Sequence, residues 1–120
     1  MSNDPAIDPK TLELLRSLES DRPGAMTELV RLFIADAPAQ MQLVDDGYHA
    51  RDAEKLRQAA HFLRSGALAL GLNALVDASH DIERLEPDQY GTPESDALLA
   101  QLRVGLRDAL MALLNIVKEL

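Results

Sequence analysis

The chain has 120 residues, a formal net charge of -8 and no cysteine. This length fits one domain, and we expect a single helical-bundle domain over residues 1–120, with 1–7 flexible. The acidic charge argues against nucleic acid or an anionic membrane as a partner, and without cysteine there is no disulfide or thiolate metal site. The polar start and the lack of any apolar run near roughly 18 residues predict a cytoplasmic location.

The first predicted element is a short helix that begins at Asp8-Pro9. Aspartate can accept hydrogen bonds from free N–H groups at a helix start, and proline fits the first turn. Leu12, Leu15 and Leu18 give this helix a short apolar side.

A long amphipathic second helix is predicted after the break at residues 21–24. Apolar residues recur there at steps of three and four, which is the helical period. Pro38 falls inside the pattern and should kink or briefly break the helix near Ala37. We expect the helix to end near Gly47, before a polar segment at 48–52. The apolar positions are Met26, Val30, Phe33, Ala37, Met41, Val44 and Tyr48.

Three further helices follow by the same criterion. The third helix is predicted to end at Gly71, because glycine commonly ends a helix. Residues 86–93 are rich in turn-forming residues and are predicted to be a loop. Thr92 or Ser95 could cap the fifth helix. The apolar positions are Leu56, Ala60, Leu63, Ala67 and Leu70 in the third helix, Leu72, Leu75, Val76, Ser79 and Ile82 in the fourth, and Leu99, Leu102, Leu106, Ala109, Leu113, Ile116 and Leu120 in the fifth.

These patterns predict an all-α protein. No segment alternates with the period of a β-strand, and aromatic residues make up only 3% of the chain. Four long amphipathic helices bury their apolar stripes most simply as an up-down-up-down four-helix bundle, with the short N-terminal helix covering one end. The stripe of the fifth helix would also suit a coiled-coil dimer, but three other helices need a partner, so we expect a monomer.

His61 interrupts the apolar run of the third helix. With about 100° per residue, its side chain points about 140° away from the mean direction of the apolar positions. Arg57, Arg64, Leu68 and Ser65 lie in the same outward sector, at about 100°, 80°, 120° and 180°. The histidine is therefore expected to face solvent.

The surroundings of His61 differ from an ordinary solvated helix face. Residues 51–71 contain four basic and two acidic side chains in an acidic protein. Leu68 beside Ser65, Gly66 and Ala69 is typical of a flat contact surface. An exposed neutral imidazole with guanidinium groups nearby can attack a phosphoryl group, whose oxygens the arginines can meet.

The stretch Ala60-His61-Phe62-Leu63-Arg64-Ser65-Gly66, with Gly71 after it, resembles the signature of the histidine-containing phosphotransfer (HPt) domain family. That signature reads Ala-His-x-Leu-Lys-Gly-Ser, with a glycine ten residues after the histidine. The resemblance extends to Asp8-Pro9-x-x-Leu12, Leu32-Phe33-Ile34, Ala37-Pro38, Asp52-Ala53-x-x-Leu56 and Ile82-Glu83.

The resemblance implies a stand-alone phosphorelay protein of a two-component system. His61 would accept a phosphoryl group from a receiver-domain aspartate or a sensor or hybrid histidine kinase, and pass it to a response-regulator receiver, which holds the Mg²⁺. No cofactor or metal is expected in this chain. Arg64 would contact the phosphoryl oxygens, in place of the family's lysine, and Glu83 would orient the imidazole.

Arg57, Ser65, Gly66 and Leu68 are predicted to dock the partner. Ser65 departs from the family's glycine, because Ser65-Gly66 reverses the usual order, and we expect it to narrow partner choice or weaken transfer. Arg64 replaces the compact ammonium of lysine with a guanidinium, which can bind two oxygens at once, so we expect altered rates of phosphoryl transfer.

Other functions stay open at this point. The chain could be a module that docks a receiver or kinase with little or no transfer, or a small helical enzyme with His61 as acid or base. His61 could also be an ordinary exposed histidine. His49, expected in a loop, and His80 form no metal-binding spacing with it. The glycine in Pro23-Gly24-Ala25-Met26 makes no phosphate-binding loop, so we expect a phosphohistidine carrier and not a kinase.

Overall fold

The computed structural model describes residues 6–119, which form five α-helices and no β-strand. The predicted all-α class is confirmed. No helix in this range is long and apolar enough to cross a membrane. The helices are α1 (Pro9–Asp21), α2 (Ala25–Ala50), α3 (Ala53–Leu70), α4 (Asn73–Glu83) and α5 (Pro93–Glu119), with a short 3-10 turn at Pro87–Gln89.

Helix α1 begins as predicted and closes one end of the molecule. The Asp8 carboxylate accepts hydrogen bonds from Thr11 N at 3.0 Å and Thr11 Oγ1 at 2.9 Å. The backbone N–H of Asp8 donates to the carbonyl of Gly71 at 2.7 Å, so the start of α1 is tied to the turn between α3 and α4. Residues 1–5 of the predicted flexible segment lie outside the described range, whereas Ile7 is buried in the core.

Helix α2 follows its predicted stripe but differs from the prediction at two places. All seven apolar positions are buried. Of the kink or brief break predicted at Pro38, the break is wrong, because α2 continues through it; burial of Ala37 and Met41 on either side holds the helix where one backbone hydrogen bond is missing. The polar segment at 48–52 is a connection only at Arg51 and Asp52: α2 extends to Ala50, which places His49 in its last turn.

Helix α2 packs against α3, α3 against α4, and α4 against α5. Helix α2 also contacts α5, and α1 packs on α2 and α3. Their apolar stripes meet in one core, and the predicted core residues of α3 and α5 within the described range are buried. Leu120 lies outside that range. Of the two residues predicted as possible caps of α5, Thr92 is the one that does so: its side chain accepts a hydrogen bond from Ser95 N at 3.2 Å.

Gly66 allows α2 and α3 to approach closely next to the histidine. A Cβ at this position would lie 2.6 Å from two ring atoms of Phe33, which is buried. The ring cannot move aside easily in a close-packed interior. Gly105 in α5 is a useful contrast, since a Cβ there would meet only Leu75 Cδ1, at an ordinary 4.0 Å.

We predict opposite effects for alanine at these two helical glycines. Gly105→Ala should raise the free energy of unfolding by about 0.5–1 kcal/mol, because alanine favours the helix. Gly66→Ala should lower the free energy of unfolding by about 1–2 kcal/mol, because the cost of overpacking against Phe33 is larger than the gain in helix propensity. Urea denaturation followed by circular dichroism measures both, and equal stabilisation by the two variants would contradict the packing assignment.

Two buried tyrosines connect the end of α2 to the loop before α5. The Tyr48 hydroxyl donates to Asp96 Oδ1 at 2.6 Å and accepts from Gly91 N at 2.8 Å. The Tyr90 ring lies 5.2 Å from the Tyr48 ring, and its buried hydroxyl finds no hydrogen-bond partner within residues 6–119. Burial raises the pKa of both phenols. The two hydroxyl groups should therefore contribute differently to stability.

Phenylalanine substitutions test this difference. Tyr48→Phe should lower the free energy of unfolding by about 1–2 kcal/mol, because it removes a donor and leaves the Gly91 N–H without its acceptor. Tyr90→Phe should leave stability unchanged or raise it, because it removes a buried polar atom that makes no hydrogen bond. Thermal unfolding of both variants measures the change in stability. A larger loss of stability for Tyr90→Phe than for Tyr48→Phe would contradict the prediction.

Candidate functional site

His61 lies on the outer face of α3. The adjacent Ala60 is fully buried, as is Leu63, whereas the His61 side chain is 60% exposed. This confirms the direction predicted from the helical period. The core residues of α3 thus fix the helix rotation that turns the imidazole outward.

Glu83, the last residue of α4, contacts the imidazole. Its Oε1 lies 3.0 Å from His61 Nδ1, and its side chain is only 16% exposed. An ionised carboxylate can only accept hydrogen bonds, so Nδ1 carries the hydrogen and donates it. Nε2 then carries the lone pair of the ring and can accept a hydrogen bond. The contact with Glu83 therefore favours the tautomer of His61 with its hydrogen on Nδ1.

Arg64 also binds Glu83. Its Nε donates to Oε2 at 2.5 Å, and one terminal nitrogen lies 3.1 Å from His61 Nδ1. Nδ1 cannot donate to Glu83 and accept from Arg64 at once. The carboxylate is the stronger partner for Nδ1–H, so the contact between Arg64 and the ring is not a hydrogen bond. The guanidinium lies on the Nδ1 side of the imidazole and holds the Glu83 carboxylate in place.

Arg57 holds the end of α4. Its guanidinium donates to the carbonyls of Glu83 at 3.2 Å and Leu85 at 2.8 Å, and forms an ion pair with Glu86 at 3.3 Å. These contacts satisfy carbonyl groups that a helix end leaves without partners. The sequence placed Arg57 on the docking face; in the structure its guanidinium binds α4 and the segment after it, and its side chain is 39% exposed.

The excess of basic residues counted along residues 51–71 is partly compensated by acidic side chains from outside this stretch. Both nearby guanidiniums are paired with carboxylates, Arg64 with Glu83 and Arg57 with Glu86. The count of charges along α3 could not include these partners, because both come from α4 and the segment after it. The site is electrostatically balanced.

The other predicted docking residues differ in how exposed they are. Leu68 is 56% exposed, and Ser65 is exposed with its Oγ 3.5 Å from His61 Nε2. Gly66 instead faces Phe33 inside the α2–α3 contact. The sequence prediction did not include several exposed apolar side chains, and three of them lie on α2 and α3 close in sequence to Phe33 and His61. They are Leu29 and Leu32 of α2 and Phe62 of α3.

The two other histidines are surface residues. His49 and His80 are exposed in the last turns of α2 and α4. Within residues 6–119 no three acidic or histidine side chains group closely enough to hold a metal ion.

The arrangement suits nucleophilic chemistry at Nε2. A neutral ring with its hydrogen on Nδ1 presents the Nε2 lone pair to solvent, without a general base being required. When Nε2 forms a bond to an electrophile, positive charge develops on the ring. The Glu83 carboxylate is already placed to stabilise that charge through Nδ1–H.

Comparisons with known proteins show which family the chain belongs to. No curated protein matches the sequence. The solved structure of histidine-containing phosphotransfer protein B (HptB) from Pseudomonas aeruginosa PAO1 has a similar fold, with a TM-score of 0.80 at 19% sequence identity over 97% of each chain. A family model described as "Hpt domain" matches residues 28–116, which include His61, Arg64 and Glu83. The chain therefore belongs to the Hpt domain family.

Proposed function

We propose that this protein is a phosphorelay intermediate in which His61 is the phosphoacceptor. Family membership supports a histidine phosphotransfer role. The observation that carries the assignment to His61 is its exposed ring, with Nδ1 bound to Glu83 and Nε2 facing outward. The proposed donor is a receiver-domain aspartate or a sensor kinase, and the proposed acceptor is a receiver aspartate.

The proposed reaction uses only a few groups of this chain. The Nε2 lone pair attacks the phosphorus of an aspartyl phosphate, the Nε2–P bond forms, the P–O bond to the aspartate breaks, and the receiver carboxylate leaves with the bonding electrons. Nδ1 keeps its hydrogen throughout. The ring becomes cationic, and Glu83 stabilises it. Transfer to the next receiver is the reverse process, and the partner receiver would supply the Mg²⁺.

We propose a docking surface formed by Leu29, Leu32, Phe62, Ser65 and Leu68. Phe33, next to Leu32, contacts Gly66 next to Ser65, which brings the two helices together at this level. Exposed apolar side chains around a reactive group are typical of a protein contact site. A receiver or kinase that covers them would also exclude water from the transfer.

Arg64 is proposed to contact the phosphoryl oxygens during transfer. In the resting structure it is bound to Glu83 on the Nδ1 side of the ring. A contact with a phosphoryl group on Nε2 therefore requires the guanidinium to turn around the imidazole, while its charge remains close to the site.

We also propose that α2–α5 run up-down-up-down. The monomeric state and the cytoplasmic location stay predictions.

A docking module with weak or no transfer is the second candidate. The position of Arg64 favours it, because the guanidinium is engaged away from Nε2. Binding of a receiver without transfer of label to this chain would support that alternative.

We predict that His61→Gln abolishes phosphoryl transfer. A candidate receiver carrying labelled aspartyl phosphate is mixed with the protein, and label on this chain is tested for the acid lability and alkali stability of phosphohistidine. His80→Gln, at another exposed histidine, is the control and should retain the label. Label that persists in His61→Gln would exclude His61 as the acceptor.

We predict that Glu83→Gln slows acceptance of the phosphoryl group by about tenfold. Glutamine keeps an oxygen for Nδ1–H but removes the charge that stabilises the cationic ring, and charge-assisted hydrogen bonds are roughly twice as strong as neutral ones. Rapid-quench measurement of label transfer gives the rate. Glu13→Gln, an exposed change on α1, is the control, and equal rates in both variants would remove Glu83 from the mechanism.

A further inference from the structure

Ser65 lies one helical turn after His61, on the same side of α3. Its Oγ is 3.5 Å from His61 Nε2. The hydrogen on Nδ1, required by Glu83, leaves Nε2 as an acceptor, so the serine hydroxyl is the donor in this contact. Within residues 6–119, no other side chain forms a hydrogen bond with Nε2.

We propose that the Ser65 hydroxyl stabilises the phosphorylated state of His61 and so lengthens the lifetime of the phosphohistidine. At rest the hydroxyl donates to Nε2; after transfer it donates to an oxygen of the phosphoryl group on Nε2. This inference rests on the proposed function and deepens it. It assigns Ser65 a chemical role that differs from the steric role expected from the sequence.

The resting contact should hinder attack very little. A distance of 3.5 Å is at the limit of a hydrogen bond, so little free energy is lost when it breaks. Serine has one side-chain torsion before its oxygen, and a change of rotamer moves the hydroxyl off the lone pair. Nε2 therefore remains available as a nucleophile.

The contact in the phosphorylated state should be stronger. Nε2 is then bonded to phosphorus and no longer accepts, whereas the phosphoryl oxygens carry negative charge. A hydroxyl that donates to a charged oxygen forms a stronger hydrogen bond than one that donates to a neutral nitrogen. Arg64 is held by Glu83 on the other side of the ring, so Ser65 is the donor already on the Nε2 side.

This stabilisation should slow loss of the phosphoryl group. In a loose transition state the N–P bond is largely broken and its electrons move to the imidazole, so negative charge on the phosphoryl oxygens decreases. A donor to those oxygens then stabilises the starting phosphohistidine more than the transition state, which lowers the rate.

Three substitutions separate the hydroxyl from the bulk of the side chain. Ser65→Ala keeps Cβ and loses the hydroxyl, Ser65→Gly loses both, and Ser65→Thr keeps the hydroxyl. The full-length proteins are phosphorylated with phosphoramidate, from which Nε2 displaces ammonia as the N–P bond of the reagent breaks. After its removal, phosphorus NMR follows the decay. Ser17→Ala, an exposed change on α1, is the control.

The hydroxyl role predicts that Ser65→Ala and Ser65→Gly both lose the phosphoryl group about three- to tenfold faster than the native chain, the range for one hydrogen bond at an exposed site. Ser65→Thr and Ser17→Ala should decay like the native chain. The nitrogen NMR signal of unphosphorylated Nε2 should also shift in the alanine and glycine variants, but not in Ser17→Ala.

Other results would overturn the inference. If Ser65→Ala decays like the native chain and only Ser65→Gly differs, the side chain acts through its bulk. If all variants decay alike, Ser65 has no effect on the phosphohistidine. Failure of the native chain to be phosphorylated on His61, while an isolated histidine-containing peptide is phosphorylated, overturns the proposed function and this inference with it.

Discussion

The Glu83 carboxylate is the group on which the rest of the site depends. One oxygen accepts from His61 Nδ1 and the other from Arg64 Nε, so a single side chain contacts both the imidazole and the nearest cation and favours one tautomer of the ring. Its backbone carbonyl is bound in turn by Arg57. The site is therefore a property of the contact between α3 and the end of α4, and not of the histidine motif alone.

That contact is set by the turn between the two helices. Gly71 has a left-handed backbone, with φ of 70°, and ends α3 as the sequence predicts. A Cβ there would clash with Thr11 of α1, at 2.5 Å, and its carbonyl accepts from the N–H of Asp8. Helix α1 thus holds this turn in place. A shift of the turn would move α4, and Glu83 at the end of α4 would move with it.

The helical period was enough to predict which residues are buried and that His61 faces outward, because both follow from rotation about one helix. The predictions of a break at Pro38 and of a loop over 48–50 were wrong, because packing of the neighbouring residues outweighs local preference there. The ion pairs of Arg57 and Arg64 could not be predicted from α3 alone, since they depend on the distance to α4. Glu83 was identified only through the family resemblance.

The order Ser65-Gly66 has a physical basis in this packing. Position 66 faces Phe33, where a Cβ does not fit, so the glycine has to stand there; position 65 is exposed and can carry a hydroxyl. Arginine at 64 fits the same scheme. A lysine ammonium is a single point of charge, which would have to serve either Glu83 or a phosphoryl group. The guanidinium binds Glu83 through Nε, with a terminal nitrogen on the Nδ1 side of the ring, which leaves the Nε2 side to Ser65.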